Sequence, residues 1–307
     1  MFEDLIDPGH RVIQCGSRRL VLDRPRIMAV VNVTPDSFSD GGRYFDPQRA
    51  IAHGLAQAAA GADVLDIGGE STRPGADPVS VQEELRRVIP VIQALAGQTR
   101  CVISVDTSKP EVMRQAVAAG AGLVNDVRAL AAEDALATMA GLDAAVCLMH
   151  MQGEPGTMQA EPHYDDVVAQ VHRFLAERML ACAMAGIDRR RILIDPGFGF
   201  GKTLEHNLTL LAGLQRFADL DAPLLAGLSR KRMIGELTGQ QAPAERVAGS
   251  VAAALLAVER GAAIIRVHDV AASRDALAVQ HALAQASARV PQRQPVAPSA
   301  PRWPDDE

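Results

Sequence analysis

The chain has 307 residues, 48% of them hydrophobic, and a formal net charge of −6. That length supplies one large domain or two small ones, and the acidic balance excludes a broad basic field for a nucleic-acid backbone while allowing a local cation cluster around a small anion. No apolar run approaches the roughly 20 residues a membrane helix needs, and the N-terminal "MFEDLIDPGH" has acids and an early proline where a signal peptide has a basic start.

In chain order, "RVIQCGSRRLVL" (11–22) predicts a hairpin across Gly16-Ser17. Apolar runs then predict strands near 26–32, 63–68, 101–106, 122–127, 144–150, 191–196, 223–228 and 263–268. Helical stretches between them carry start signals: Asp46-Pro47 as N-cap and first helical residue, and capping boxes at Ser80/Glu83 and Ser108/Glu111. A junction of alanine-rich helix, glycine and β-branched run recurs at 56–68, 116–127, 139–149, 183–195 and 257–269. The glycine suits a left-handed helix cap, and parallel strands need such crossover helices. Eight strand–helix units in one chain predict a (β/α)8 TIM barrel, an α/β fold, with the hairpin plugging its bottom. An open doubly wound sheet is the competing architecture. The barrel domain is expected over 1–290. The stretch 291–307, with five prolines in 17 residues, is expected to be a disordered tail. Cys15, Cys101, Cys147 and Cys182 form no CxxC pair and read as small buried hydrophobes in a reducing, cytoplasmic compartment.

Barrels place their active sites at the C-terminal strand ends. Here those ends are polar: Asn32, "GGESTRPGA" (68–76), "SVDTSKP" (104–110), "VNDV" (124–127), "LMHMQG" (148–153), "DPGFGFGK" (195–202), "GLSRK" (227–231) and "IRVHD" (265–269). Burying such groups costs several kcal/mol unless they are paired, so their convergence argues for a site. Arg266 and His268 share one side of the last strand and suit an anion; a structural Arg266–Asp269 pair is the alternative.

"DPGFGFGKT" (195–203) imitates a phosphate loop, but the position that needs the first glycine holds Pro196. No GxGxxG, HExxH or nucleophile elbow replaces it. What remains is Asp195 beside bare glycine backbone, with Phe198 or Phe200 as a flat surface. A carboxylate opposite two parallel N–H donors reads a guanidine-like ring edge, and an aromatic covers the ring's face. Asn125 offers both donor and acceptor to the same ring.

These blocks, with "NVTPDSFSDGG" (32–42) and "MHMQGEPGTMQ" (149–159), resemble dihydropteroate synthases across residues 26–285. The resemblance implies condensation of 6-hydroxymethyl-7,8-dihydropterin diphosphate with p-aminobenzoate, on the folate pathway, in a family that is a sulfonamide target. It further implies that Asp106, Asn125, Asp195 and Lys231 hold the pterin, with Met149 and Phe200 lining its slot. Asn32, Thr72, Arg73, Arg266 and His268 would bind the diphosphate, with Mg2+ at Asn32. Phe38, Arg73, Pro74, Ser229 and Lys231 would seat p-aminobenzoate, with 33–42 and 71–79 as covering loops.

No nucleophile–base motif is evident, and a dissociative, SN1-like substitution needs none. In that scheme Asp106, Asp195, Lys231, Arg266 and His268 are the catalytic residues. Arg232 departs from the family, where a small residue is usual. The partners implied are the two small substrates, with no nucleic acid or membrane, and a second copy in a homodimer. A pterin-dependent methyltransferase domain and a catalytically silent pterin-binding paralogue are the competing functions.

Overall fold

The alternation of buried apolar residues along each predicted strand has two destinations, and that decides the architecture. In the computed structural model, which describes residues 11–34, 46–71, 77–154 and 157–287, β1 (Val12–Cys15) and β2 (Arg18–Val21) form the antiparallel hairpin. Eight parallel strands then close a barrel: β3 (Arg26–Asn32), β4 (Val64–Gly68), β5 (Val102–Asp106), β6 (Leu123–Asp126), β7 (Ala145–Met149), β8 (Ile192–Asp195), β9 (Leu224–Ala226) and β10 (Ala262–Val267), with β10 beside β3. Every predicted strand is present, and closure rules out the open sheet. One residue set, including Ile27, Leu65, Ile103 and Ile265, packs against the helices. The alternate set, Met28, Val64, Val102, Leu123, Leu193, Leu225 and Ile264, fills the lower interior with hairpin residues Ile13, Cys15 and Leu20. The hairpin is therefore the bottom plug, and the polar residues occupy the other end.

Helices α1 (Pro47–Ala60), α2 (Val81–Gln98), α3 (Pro110–Ala118), α4 (Ala135–Ala140), α5 (Val167–Met184), α6 (Leu204–Ala212), α7 (Arg232–Thr238), α8 (Val247–Glu259) and α9 (Val270–Ser287) surround the barrel. Asp46 caps α1 through Gln48 N, with Pro47 at the first helical position. Ser80 caps α2 through Glu83 N, but the Glu83 side chain turns to Arg86 and Arg87 instead of closing the box. The Ser108/Glu111 box does not form. Pro110 fixes the first turn one residue later than that box requires, so Lys109 is the N-cap and the Ser108 hydroxyl donates to Asp126 Oδ1 at 2.5 Å. Among the recurrent junction glycines Gly141 also differs, ending the six-residue α4 at φ −84 in right-handed geometry. All four cysteines are free and buried. None of the described helices is long and apolar enough to cross a membrane.

Candidate active site

Above the apolar floor the interior turns polar. Asp66, fully buried at mid-β4, accepts from Ser104 Oγ at 2.6 Å, from Asn125 Nδ2 at 3.2 Å and from Arg266 Nε at 2.6 Å. The guanidinium of Arg266 also donates to Asp106 Oδ2 at 2.8 Å. Neither acid is Asp269, which instead takes Arg230 in a two-pronged pair at 2.9 and 2.5 Å. The expected structural alternative for Arg266 thus exists with a different arginine. Burial opposes the charge on Arg266, but Asp66 and Asp106 outweigh it and hold the guanidinium above its ordinary range. Burial pushes Asp106 up to about 7, against the pull of Arg266 and with Asp66 adding to the rise.

Asp66 is the buried carboxylate of this cluster that sequence reasoning does not single out. Its signal was an acid at an inward position of an otherwise apolar strand, which composition alone files as part of a hydrophobic run.

The glycines at the strand ends locate the mouth. A Cβ on Gly227 would stand 3.9 Å from Asp195 Oδ2, 3.8 Å from Arg266 Cβ and 4.0 Å from Lys231 Nζ. A Cβ on Gly68 would stand 3.9 Å from both Asn32 Oδ1 and Asp106 Oδ2. Asp195 and Arg266 therefore border the same position at the barrel mouth, not opposite faces. Met149 is buried beside Asp195 in the strand register. Beyond β9, Ser229 Oγ accepts from the His268 backbone N–H at 3.1 Å and lies 3.1 Å from His268 Nδ1. The fold thus creates a Ser–His contact no motif announced, although one oxygen lone pair is already committed to the backbone. Asn32, Asp106, Asn125, Met149, Asp195, Phe200, Ser229, Lys231, Arg266 and His268 all come to this end of the barrel. Phe38, Thr72, Arg73, Pro74 and the 291–307 tail lie outside the described residues.

Asp195 Oδ1 accepts from Gly197 N at 2.7 Å, which leaves further lone pairs for a ligand. Burial raises its proton affinity, and Lys231 and the Gly197 N–H oppose that rise. Asn125 Oδ1 is buried without a hydrogen-bond partner among the described residues. An orphan acceptor costs about 1–3 kcal/mol, which a ligand N–H would recover. Phe198 belongs to the core, whereas Phe200 lies with its ring centroid 4.6 Å from Lys231 Nζ. Of the two rings, Phe200 is therefore the partly exposed one. Burial lowers Lys231 to about 8, with Asp195 opposing and Arg266 reinforcing the drop.

The loop glycines are required by close approaches within the protein. Gly197 has φ +69, and a Cβ there would come within 1.8 Å of His150 O; on Gly201 it would lie 2.3 Å from Gln152 O. The bare backbone is needed for the protein to approach itself. Gly197→Ala should therefore lower stability by roughly 2 kcal/mol or more, combining left-handed strain with the clash. A urea midpoint equal to wild type would refute this.

Metal fit turns on the same mouth. No cluster of three or more His, Cys, Asp or Glu side chains suited to a metal exists among the described residues. Mg2+ needs no such cage, since it commonly keeps waters and binds through one or two protein oxygens plus substrate phosphates. Asn32 Oδ1, beside the Asp106 carboxylate, is an oxygen donor of that kind.

The family profile described as pterin binding enzyme matches residues 28–268. The chain is 52% identical over 263 residues to the dihydropteroate synthase of Escherichia coli (strain K12), covering 86% of this chain and 93% of that one. The fold matches Xanthomonas albilineans dihydropteroate synthase with 4-aminobenzoic acid at TM-score 0.85 and 62% identity, over 92% of this chain and 100% of that one. It matches the same organism's enzyme in complex with 7,8-dihydropteroate at TM-score 0.82 and 59% identity, over 91% of this chain and 100% of the other.

Proposed function

The chain belongs to the pterin binding enzyme family, and we propose that it condenses 6-hydroxymethyl-7,8-dihydropterin diphosphate with p-aminobenzoate, giving 7,8-dihydropteroate and pyrophosphate. The observation that carries this reading is the convergence of Asp195, Lys231 and Arg266 on Gly227. The Asp195 carboxylate and the Lys231 amine meet there beside the stem of Arg266, whose guanidinium reaches on to Asp66 and Asp106.

Asp195 accepts from the ring-edge N–H donors, Asn125 Oδ1 takes a further one, and Met149 and Phe200 cover the ring faces. Asp106 and Lys231 complete the pterin contacts. Arg266 and His268 hold the diphosphate, with Thr72 and Arg73 assigned beside them. Mg2+ bound with the diphosphate would neutralise its charge, with Asn32 as the oxygen this chain offers. The bond from the methylene carbon to the diphosphate oxygen breaks, and its electron pair leaves with pyrophosphate. The carbon is then electron-poor and faces Asp66, Asp106 and Asp195 against two cations, Arg266 and Lys231. That acid excess favours a positively charged transition state. The arylamine nitrogen forms the new C–N bond and releases a proton. Ser229 and Lys231, with Phe38, Arg73 and Pro74, are assigned to p-aminobenzoate. Ser229 also touches His268, so it stands between the two substrate halves.

We further propose a cytoplasmic homodimer. The four free thiols suit a reducing compartment, and exposed Leu237 and Leu256 on α7 and α8 are apolar surface a second copy would cover; light scattering of the purified protein tests the stoichiometry.

Incubating the protein with the pterin diphosphate, Mg2+ and p-aminobenzoate should yield 7,8-dihydropteroate. Pterin binding without product would favour a silent paralogue, and methyl transfer in its place would favour the methyltransferase reading.

Pterin binding should also be pH-sensitive. It needs Lys231 charged, which is lost as pH rises through about 8. It needs Asp106 ionised, which is lost as pH falls through about 7. Affinity measured calorimetrically from pH 6 to 9 should peak between those limits; a flat profile would count against both contacts.

A further inference from the structure

Lys202 is the residue that makes 195–203 look like a phosphate loop, and the reaction scheme leaves it without work. It is 3% exposed, and its Nζ meets Gly197 O at 2.9 Å, Phe200 O at 3.1 Å and His150 Nδ1 at 2.9 Å. Burial, reinforced by Lys231, pulls the proton affinity of Lys202 well down, so its hold on the loop rests on these three contacts and not on a full charge. Burial drives His150 down to about 2, so its ring is neutral and Nδ1 accepts. The lysine is thus turned to the loop's own carbonyls.

Those carbonyls belong to the two peptides that place the pterin contacts. Gly197 donates its N–H to Asp195 Oδ1 at 2.7 Å, so the grip on its carbonyl and the rotamer of Asp195 are linked through one residue. Gly197 O also accepts from Phe200 N at 3.2 Å, closing a turn with Gly199 at φ +79, as a type II turn requires. Phe200 then carries its ring over Lys231. Other contacts complete the loop. Lys231 donates to Phe198 O, Gln159 to Gly199 O, and Tyr164 OH to Gly201 O at 2.9 Å; Asn207 Oδ1 accepts from Gly199 N at 2.7 Å. Among the described residues only Lys202 grips both ends of the turn, and it does so from a buried position.

We infer that Lys202, seated on His150, is a positioning residue that sets the Asp195 carboxylate and the Phe200 ring for pterin recognition. The inference rests on the pterin reading above. The effect of Lys202 should fall mainly on the pterin half of the site, because it reaches the p-aminobenzoate half indirectly, through the contact of Phe200 with Lys231.

The test compares wild type, Lys202→Met and His150→Phe in two measurements: calorimetric titration with 6-hydroxymethylpterin and steady-state KM for p-aminobenzoate. His150→Phe keeps an aromatic ring against Phe174, whose centroid lies 4.9 Å from that of His150, and removes the Nδ1 acceptor together with the Nε2 N–H. Disturbing one hydrogen bond to a charged acceptor weakens binding by about 10- to 10²-fold, so folded Lys202→Met should bind the pterin more weakly by about that factor. His150→Phe should bind it about tenfold more weakly, while KM for p-aminobenzoate stays within about twofold in both variants. A general loss of stability would not produce that split. Wild-type pterin affinity in folded Lys202→Met overturns the inference, as it does in His150→Phe should Lys202→Met not fold. Equal weakening of both substrates also overturns it. Wild type that binds no pterin would remove the functional reading itself and the inference with it.

Discussion

Arg266→Ala should lower kcat by about 10²–10³-fold, the scale on which a single oriented charge stabiliser acts in acyl transfer, while the pterin ring still binds. The reason is the division of labour across the mouth. In the proposed scheme Arg266 neutralises the departing diphosphate, whereas Asp195 and Asn125 read the ring. The same substitution removes the partner of Asp66, which is fully buried, and of Asp106. Breaking such a buried pair costs about 3–5 kcal/mol, so a lower melting temperature should accompany the kinetic loss. Arg266→Lys keeps a charge but not the two-carboxylate fork, and should fall between the two. Unchanged turnover in folded Arg266→Ala would remove the residue from the mechanism.

Asp195→Ala should have the opposite signature, with pterin affinity lost first. Hydrogen bonds to a charged acceptor contribute about 1.5–3 kcal/mol each, so losing a two-donor contact should weaken binding by roughly two to four decades. It also frees Gly197 N–H from its 2.7 Å bond, loosening the turn that carries Phe200. Asp195→Asn preserves the bond to Gly197 and presents one N–H to the ring's donors, so it should recover stability without recovering affinity. Wild-type pterin affinity in either variant would mean that the ring edge is read elsewhere.

The barrel was legible because each strand is an apolar run ended by polar residues, and because alanine-rich helices supply the crossovers. Local chemistry misled where a neighbour in sequence competed. Pro110 moved the start of α3 past Ser108, and the hydroxyl went to Asp126. Pairing across the barrel was not legible at all. Arg266 stands three residues from Asp269 yet pairs with Asp66, 200 residues away, because closure of the barrel brings β10 and β4 to the same interior. For the same reason, nothing local showed that Lys202 serves its own loop, or that Phe198 is core while Phe200 is partly exposed. The polar strand ends did identify the mouth, since each ends an inward-facing position whose burial needs a partner.

The most direct measurement uses pyrophosphate, 6-hydroxymethylpterin and the pterin diphosphate as three ligands in calorimetric competition, with Mg2+ present. If the ring cradle and the cationic nest share the barrel mouth, the two fragments should bind together. The joined molecule should then displace both, at one equivalent per chain. Displacement of the pterin alone, with pyrophosphate left bound, would put the nest elsewhere and contradict the account.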